Sequence, residues 1–182
     1  MLTRQIAENL AFKLKQANPD HHVSQNVQRY AIEFFLTNTI TFFMSVFIGF
    51  LLNQVTGVII ALVSFASLRV ITGGKHFKTH ALCNFTTIVV SNLIPFISIY
   101  LDQTLTILFM NIFAIIFCVV FAPEGVKKYS RMPAKMYPMV KVISVLIISL
   151  NFYFMSPILA ITFALQGMTL VHKFWEVQSI DE

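Results

Sequence analysis

The sequence predicts an all-α, polytopic integral membrane protein: six transmembrane helices preceded by an N-terminal interfacial amphipathic helix. Three observations carry this. Of 182 residues, 57% are hydrophobic and only 12% are charged, with 19 Phe, too little polar surface to cover a water-soluble domain. Apolar windows recur at 31–53, 55–71, 81–101, 104–122, 138–155 and 157–172, each near the ~17–25 residues that cross a bilayer. Threading the chain through the membrane six times puts all 13 Lys and Arg on one side, as the positive-inside rule requires.

The elements follow in order. Leu2, Ile6, Leu10 and Leu14 recur every four residues, with Arg4 and Glu8 set to pair on another face, so residues 2–17 read as a helix lying in the membrane interface or packed on the protein's own loops. Asn18-Pro19-Asp20 stops it. A polar segment over 1–30 precedes the first long apolar run, which is unlike a secretory signal. The six-helix bundle then occupies 31–175, and no repeat or Pro/Gly-rich linker divides 1–182 into a second domain. Glu33 at the start of the first span is spaced to pair with Arg29. The last two windows are short and joined at Met155-Ser156-Pro157, which predicts a tilted hairpin, with a re-entrant pair as the alternative.

Charge sets the orientation. The turns around Asn53-Gln54, Asp102-Gln103 and Ser156 carry no cation, so both termini and the basic loops are expected in the cytoplasm. Tyr30, Tyr129, Tyr137 and Trp175 fall at the inner headgroups, and Tyr100 and Tyr153 at the outer ones, as an aromatic belt does. In that compartment thiols stay reduced, and the two cysteines, Cys83 and Cys118, do not suggest a disulfide framework.

Reactive groups gather in one stretch, RVITGGKHFKTHALC, from Arg69 to Cys83. Cys83 falls in the first turn of the third span, where the helix dipole and nearby Lys75, Lys78 and His76 favour a thiolate. His76 lies seven residues upstream, about 10.5 Å of rise along an unbroken helix and too far for a hydrogen bond. Gly73-Gly74 offers a break through which the chain can fold back. His80, at i,i+3 from Cys83, competes as the base.

Other readings of the same residues stand beside this one. A single Cys is often just a small hydrophobe. His76, His80 and Cys83 at i, i+4 and i+7 of one helix would suit zinc; the lack of an acidic residue in the block, the absence of HExxH and the Gly-Gly break argue against it, so no metal is expected. Thr37, Asn38, Thr41, Asn92, Asn111 and Asn151 could line the path of a small membrane transporter or peptide-export component, although isolated polar residues more often bridge helices. The basic residues are dispersed among membrane-flanking loops, so neither a nucleic-acid partner nor an organic cofactor is expected.

R-x-x-x-G-G-x-H followed seven residues later by Cys resembles the AgrB family, accessory gene regulator B-like membrane endopeptidases that process quorum-sensing propeptides. The likeness runs over nearly the whole chain, through the N-terminal segment, the Ala122-Pro123 step before Lys127 and Lys128, and Leu165-Gln166-Gly167 in the last span. The resemblance implies a cysteine endopeptidase of the bacterial cytoplasmic membrane, with Cys83 as nucleophile, His76 as general base, and Arg69, Gly73 and Gly74 framing the site. It further implies a homodimer, and as substrate a short propeptide with an amphipathic N-terminal helix and an acidic C-terminal tail. Cleavage through a thioester acyl-enzyme would be followed by closure of a thiolactone or lactone. Lys127, Lys128, Arg131 and Lys135 are then candidates to contact the acidic tail; they serve equally well as plain topological determinants.

Overall fold

Inside a bilayer every backbone N–H and C=O must find its partner within the protein, which for consecutive apolar runs means helices. The computed structural model describes residues 2–18, 22–74, 80–101, 103–123 and 133–171, and its long elements are all helical. They are α1 (Leu2–Ala17), α2 (Gln25–Leu51), α3 (Val55–Thr72), α4 (His80–Tyr100), α5 (Thr104–Phe121), α6 (Tyr137–Ser149), α7 (Asn151–Phe154) and α8 (Pro157–Thr169), with a 3-10 turn at Ala134–Met136 before α6.

Among the described residues, five stretches are long and apolar enough to cross a membrane: α2, α3, Ala81–Tyr100 of α4, α5, and Tyr137–Phe154, which joins α6 to α7. The chain is a multi-pass membrane protein. The sixth window is the 13-residue α8, whose length of about 20 Å is less than the ~30 Å hydrocarbon core.

Turn chemistry explains the boundaries. Asn53 and Met155 take left-handed backbone angles, φ 56° and 49°, and close the turns after α2 and α7; Asn enters that region at less cost than Met does. Pro157 opens α8 at a position where its missing N–H would have had no helical partner. The Asn151 side chain ties the same turn, its Nδ2 donating to the Ser156 carbonyl and its Oδ1 accepting from the Ser156 N–H, both at 3.0 Å.

The centre of the bundle is α8, which packs on α3, α4 and α5. One apolar cluster joins Leu68, Ala114, Cys118, Ile148, Phe163 and Leu170; another joins Ala61, Ile94 and Ile161. Small residues let the helices approach closely. A Cβ on Gly57 would stand 2.9 Å from Pro95, and one on Gly167 would stand 3.2 Å from Phe117. Large side chains such as Phe35, Phe43, Phe50, Phe109 and Leu146 turn outward.

The N-terminal helix packs on α2, but not through its Leu/Ile stripe. Ala7 and Ala11 are fully buried, whereas Ile6, Leu10 and Leu14 remain 42%, 42% and 53% exposed. Two alanines one turn apart give the close edge, and the bulky stripe beside them is left open. Among the described residues Arg29 Nε has no hydrogen-bond partner, so the expected pairing with Glu33 is not made through that atom.

Candidate active site

The site is built where α3 stops. Thr72 is its last helical residue, and Gly73 and Gly74 follow with φ 75° and 131°, angles that glycine adopts without steric cost. Gly74 has a second reason to be glycine: a Cβ there would meet Thr169 Oγ1 at 2.8 Å. The helix breaks at this pair, and α4 starts afresh at His80.

The break is held from α8. Gln166 Nε2 donates to the Gly73 carbonyl at 2.8 Å and to Thr72 Oγ1 at 3.1 Å. Thr72 Oγ1 in turn donates to the Leu68 carbonyl at 2.8 Å. Thr169 Oγ1 lies 2.8 Å from the Gln166 carbonyl and 3.2 Å from its Oε1. Gln166 and Thr72 are both fully buried, where an unpaired polar group would cost about 1–3 kcal/mol.

Arg69 sits one turn before the break, in the last turn of α3. Its guanidinium lies over the Phe65 ring, 5.5 Å from the centroid, within cation–π range, and its Nη1 is 3.6 Å from where a Gly74 Cβ would be. Cys83 occupies the first turn of α4 as a half-buried thiol outside any disulfide, with its carbonyl accepting from Thr87 Oγ1 at 2.9 Å.

Of the residues singled out in the sequence, Arg69, Gly73 and Gly74 stand together at the end of α3, and Cys83 stands in the first turn of α4, a helix that packs on α3. His76, Lys127, Lys128 and Arg131 lie outside the described residues, as do Lys75 and Lys78; for His80 only the backbone, opening α4, is described. The suggested zinc set includes His76 and so lies outside them as well; among the described residues no three His, Cys, Asp or Glu gather as a metal would need. Cys118 is fully buried in the apolar cluster around Phe163, away from these groups in character and use. Asn111 and Asn151, candidates for a transport path, bond to each other across α5 and α7 at 3.0 Å, as bridging residues do.

Sequence reasoning assigned no role to Gln166, Thr72 or Thr169. A signal existed: an amide within a short apolar helix has to find a partner, because lipid offers none. What the sequence does not carry is where that partner lies, 93 residues away.

The chain is similar to known proteins over most of its length. A family model described as AgrB, Accessory gene regulator B, matches residues 3–178. Accessory gene regulator protein B of Staphylococcus intermedius is 26% identical over 129 residues, which cover 70% of this chain and 69% of that protein. No solved structure matches the chain.

Proposed function

The chain belongs to the AgrB family, accessory gene regulator B, and on that premise we propose that it is a membrane cysteine endopeptidase. In this reading it cleaves a short quorum-sensing propeptide and promotes closure of the remainder into a ring. The observation that carries the reading is the Gly73-Gly74 break itself, with the Arg69 guanidinium reaching to Gly74 and a half-buried Cys83 in the first turn of the next helix. A half-buried thiol at the start of the helix that follows an arginine-bearing break has the surroundings of a nucleophile more than those of a packing residue.

The chemistry then runs in two balanced halves. His76 takes the proton from the Cys83 thiol; two peptide units separate it from Gly74, a reach of roughly 7 Å. The thiolate sulfur bonds to a backbone carbonyl carbon of the propeptide, and Arg69 offsets the negative charge that develops on the oxygen. Collapse breaks the peptide C–N bond, the imidazolium protonates the departing amine, and the acidic C-terminal fragment leaves. The thioester that remains is attacked by an internal Cys or Ser of the same propeptide, whose proton passes to His76 as the Cys83 sulfur is expelled. Because that nucleophile is tethered, its effective concentration lets it outrun water in a partly dry site.

The rest of the molecule suits this task. The open Ile6, Leu10 and Leu14 stripe of α1 would rest in the inner headgroup region, where an amphipathic substrate helix also concentrates. With both termini and the site on the cytoplasmic side, Lys127, Lys128 and Arg131 attract the acidic tail, each by up to ~1 kcal/mol near the surface. The whole chain, 1–182, acts as one peptidase domain and pairs as a homodimer.

The test uses the full-length chain in proteoliposomes with a synthetic amphipathic propeptide bearing an internal Cys and an acidic tail. Wild type releases the tail and a ring, while Cys83→Ala and Cys83→Ser release neither. Cleavage that survives both substitutions sinks the reading. Cleavage abolished by a chelator but untouched by thiol alkylation points to zinc chemistry instead.

A further inference from the structure

We infer that Gln166 is a positioning residue of the cysteine site, acting through the end of α3 without touching the substrate. The inference rests on the cysteine-peptidase reading above and adds a residue from the opposite end of the chain.

Three observations carry it. First, the amide is fully committed. One nitrogen reaches both Thr72 Oγ1 and the Gly73 carbonyl, at 3.1 and 2.8 Å, while the oxygen faces Thr169 Oγ1 at 3.2 Å. Both N–H groups are used in holding the break, so the side chain is not an oxyanion donor.

Second, the groups it holds are those on which the site's geometry depends. Arg69 lies one turn before Thr72, and its Nη1 is 3.6 Å from where a Gly74 Cβ would be. Gly73 and Gly74 form the break itself. Fixing the Thr72 hydroxyl and the Gly73 carbonyl thus fixes the base of the arginine and the backbone of the break together.

Third, the residue is fully buried in the central helix α8. Methionine or leucine would fill the same space in an apolar bundle without the desolvation cost of an amide. What glutamine adds there is direction, and the direction points at the break.

The test isolates hydrogen bonding from packing. Gln166→Met keeps the volume and removes the donors. With the same propeptide and proteoliposomes, kcat should fall by about 30-fold with KM within about twofold, since a misplacement near 1 Å costs on the order of 100-fold. Cys118, fully buried, reports folding: it should resist iodoacetamide as in wild type. Unchanged kcat overturns the inference, and so does a rise in KM alone, which would mark a binding role. If Gln166→Met exposes Cys118 and is therefore misfolded, Thr72 decides. Thr72→Val should lower kcat several-fold and Thr72→Ser should restore it; Thr72→Val at wild-type rate overturns the inference. Full cleavage by Cys83→Ala would remove the peptidase reading itself, whereas normal cleavage by Gln166→Met beside a dead Cys83→Ala removes only the role of Gln166.

Discussion

The two ends of α8 use the same device for different purposes. At its start, the carboxamide of Asn151 ties the turn at Ser156 and bonds to Asn111. At its end, the carboxamide of Gln166 ties the break after Thr72. Both amides are fully buried, and both satisfy backbone groups that a helix interruption leaves without partners. The surroundings differ. The Asn151 end holds a second amide and a turn, whereas the Gln166 end adjoins a guanidinium. A buried polar network therefore marks a chain break to be held, and only the chemistry beside it says whether the break serves a reaction.

Substitutions at the two ends should separate these roles. The largest effect belongs to Cys83→Ala: tail release should fall at least ~10³-fold, the order seen when a covalent nucleophile is removed, with thermal unfolding in detergent unchanged. Gly74→Ala comes next. It forces a side chain into φ 131° and against Thr169 Oγ1 at 2.8 Å, so it should cost about 1–3 kcal/mol of stability and most of the activity, read from thermal unfolding and cleavage on one preparation. Asn151→Leu should do only half of this. Leaving the Ser156 backbone groups unpaired should cost about 1–3 kcal/mol, while kcat per folded molecule stays within about twofold. A loss of kcat in Asn151→Leu at full folding would erase the contrast between the ends.

Which parts were legible in the sequence follows from how far apart the interacting residues lie along the chain. The helical class and the membrane windows were readable because composition and run length are local properties, and α2 to α5 appear close to where the apolar windows put them. The candidate site was half readable for the same reason: Arg69, Gly73, Gly74 and Cys83 sit within fifteen residues, and Gly-Gly announces a break wherever it occurs. Gln166 was not readable as a partner, since nothing near it in sequence names Thr72. The contact face of α1 was not readable from its periodicity: Leu and Ile at every fourth position left open whether the stripe meets the membrane interface or the protein, and close helix contact uses the small Ala7 and Ala11 while the stripe stays open.

The smallest expected effect sharpens the comparison most. Asn111 Oδ1 accepts from Asn151, but among the described residues the buried Asn111 Nδ2 has no partner. Replacing Asn111 with Leu removes one interhelical hydrogen bond, on average worth ~0.6 kcal/mol in membrane bundles, and at the same time removes an unsatisfied donor. The two changes oppose each other, so Asn111→Leu should move stability by less than about 0.5 kcal/mol, and Asn151 keeps its hold on Ser156. The double substitution with Asn151→Leu should then cost no more than Asn151→Leu alone. If Asn111→Leu instead destabilises as much as Asn151→Leu in thermal unfolding, the asparagine pair and not the turn is what holds the start of α8, and the parallel with Gln166 fails at that end.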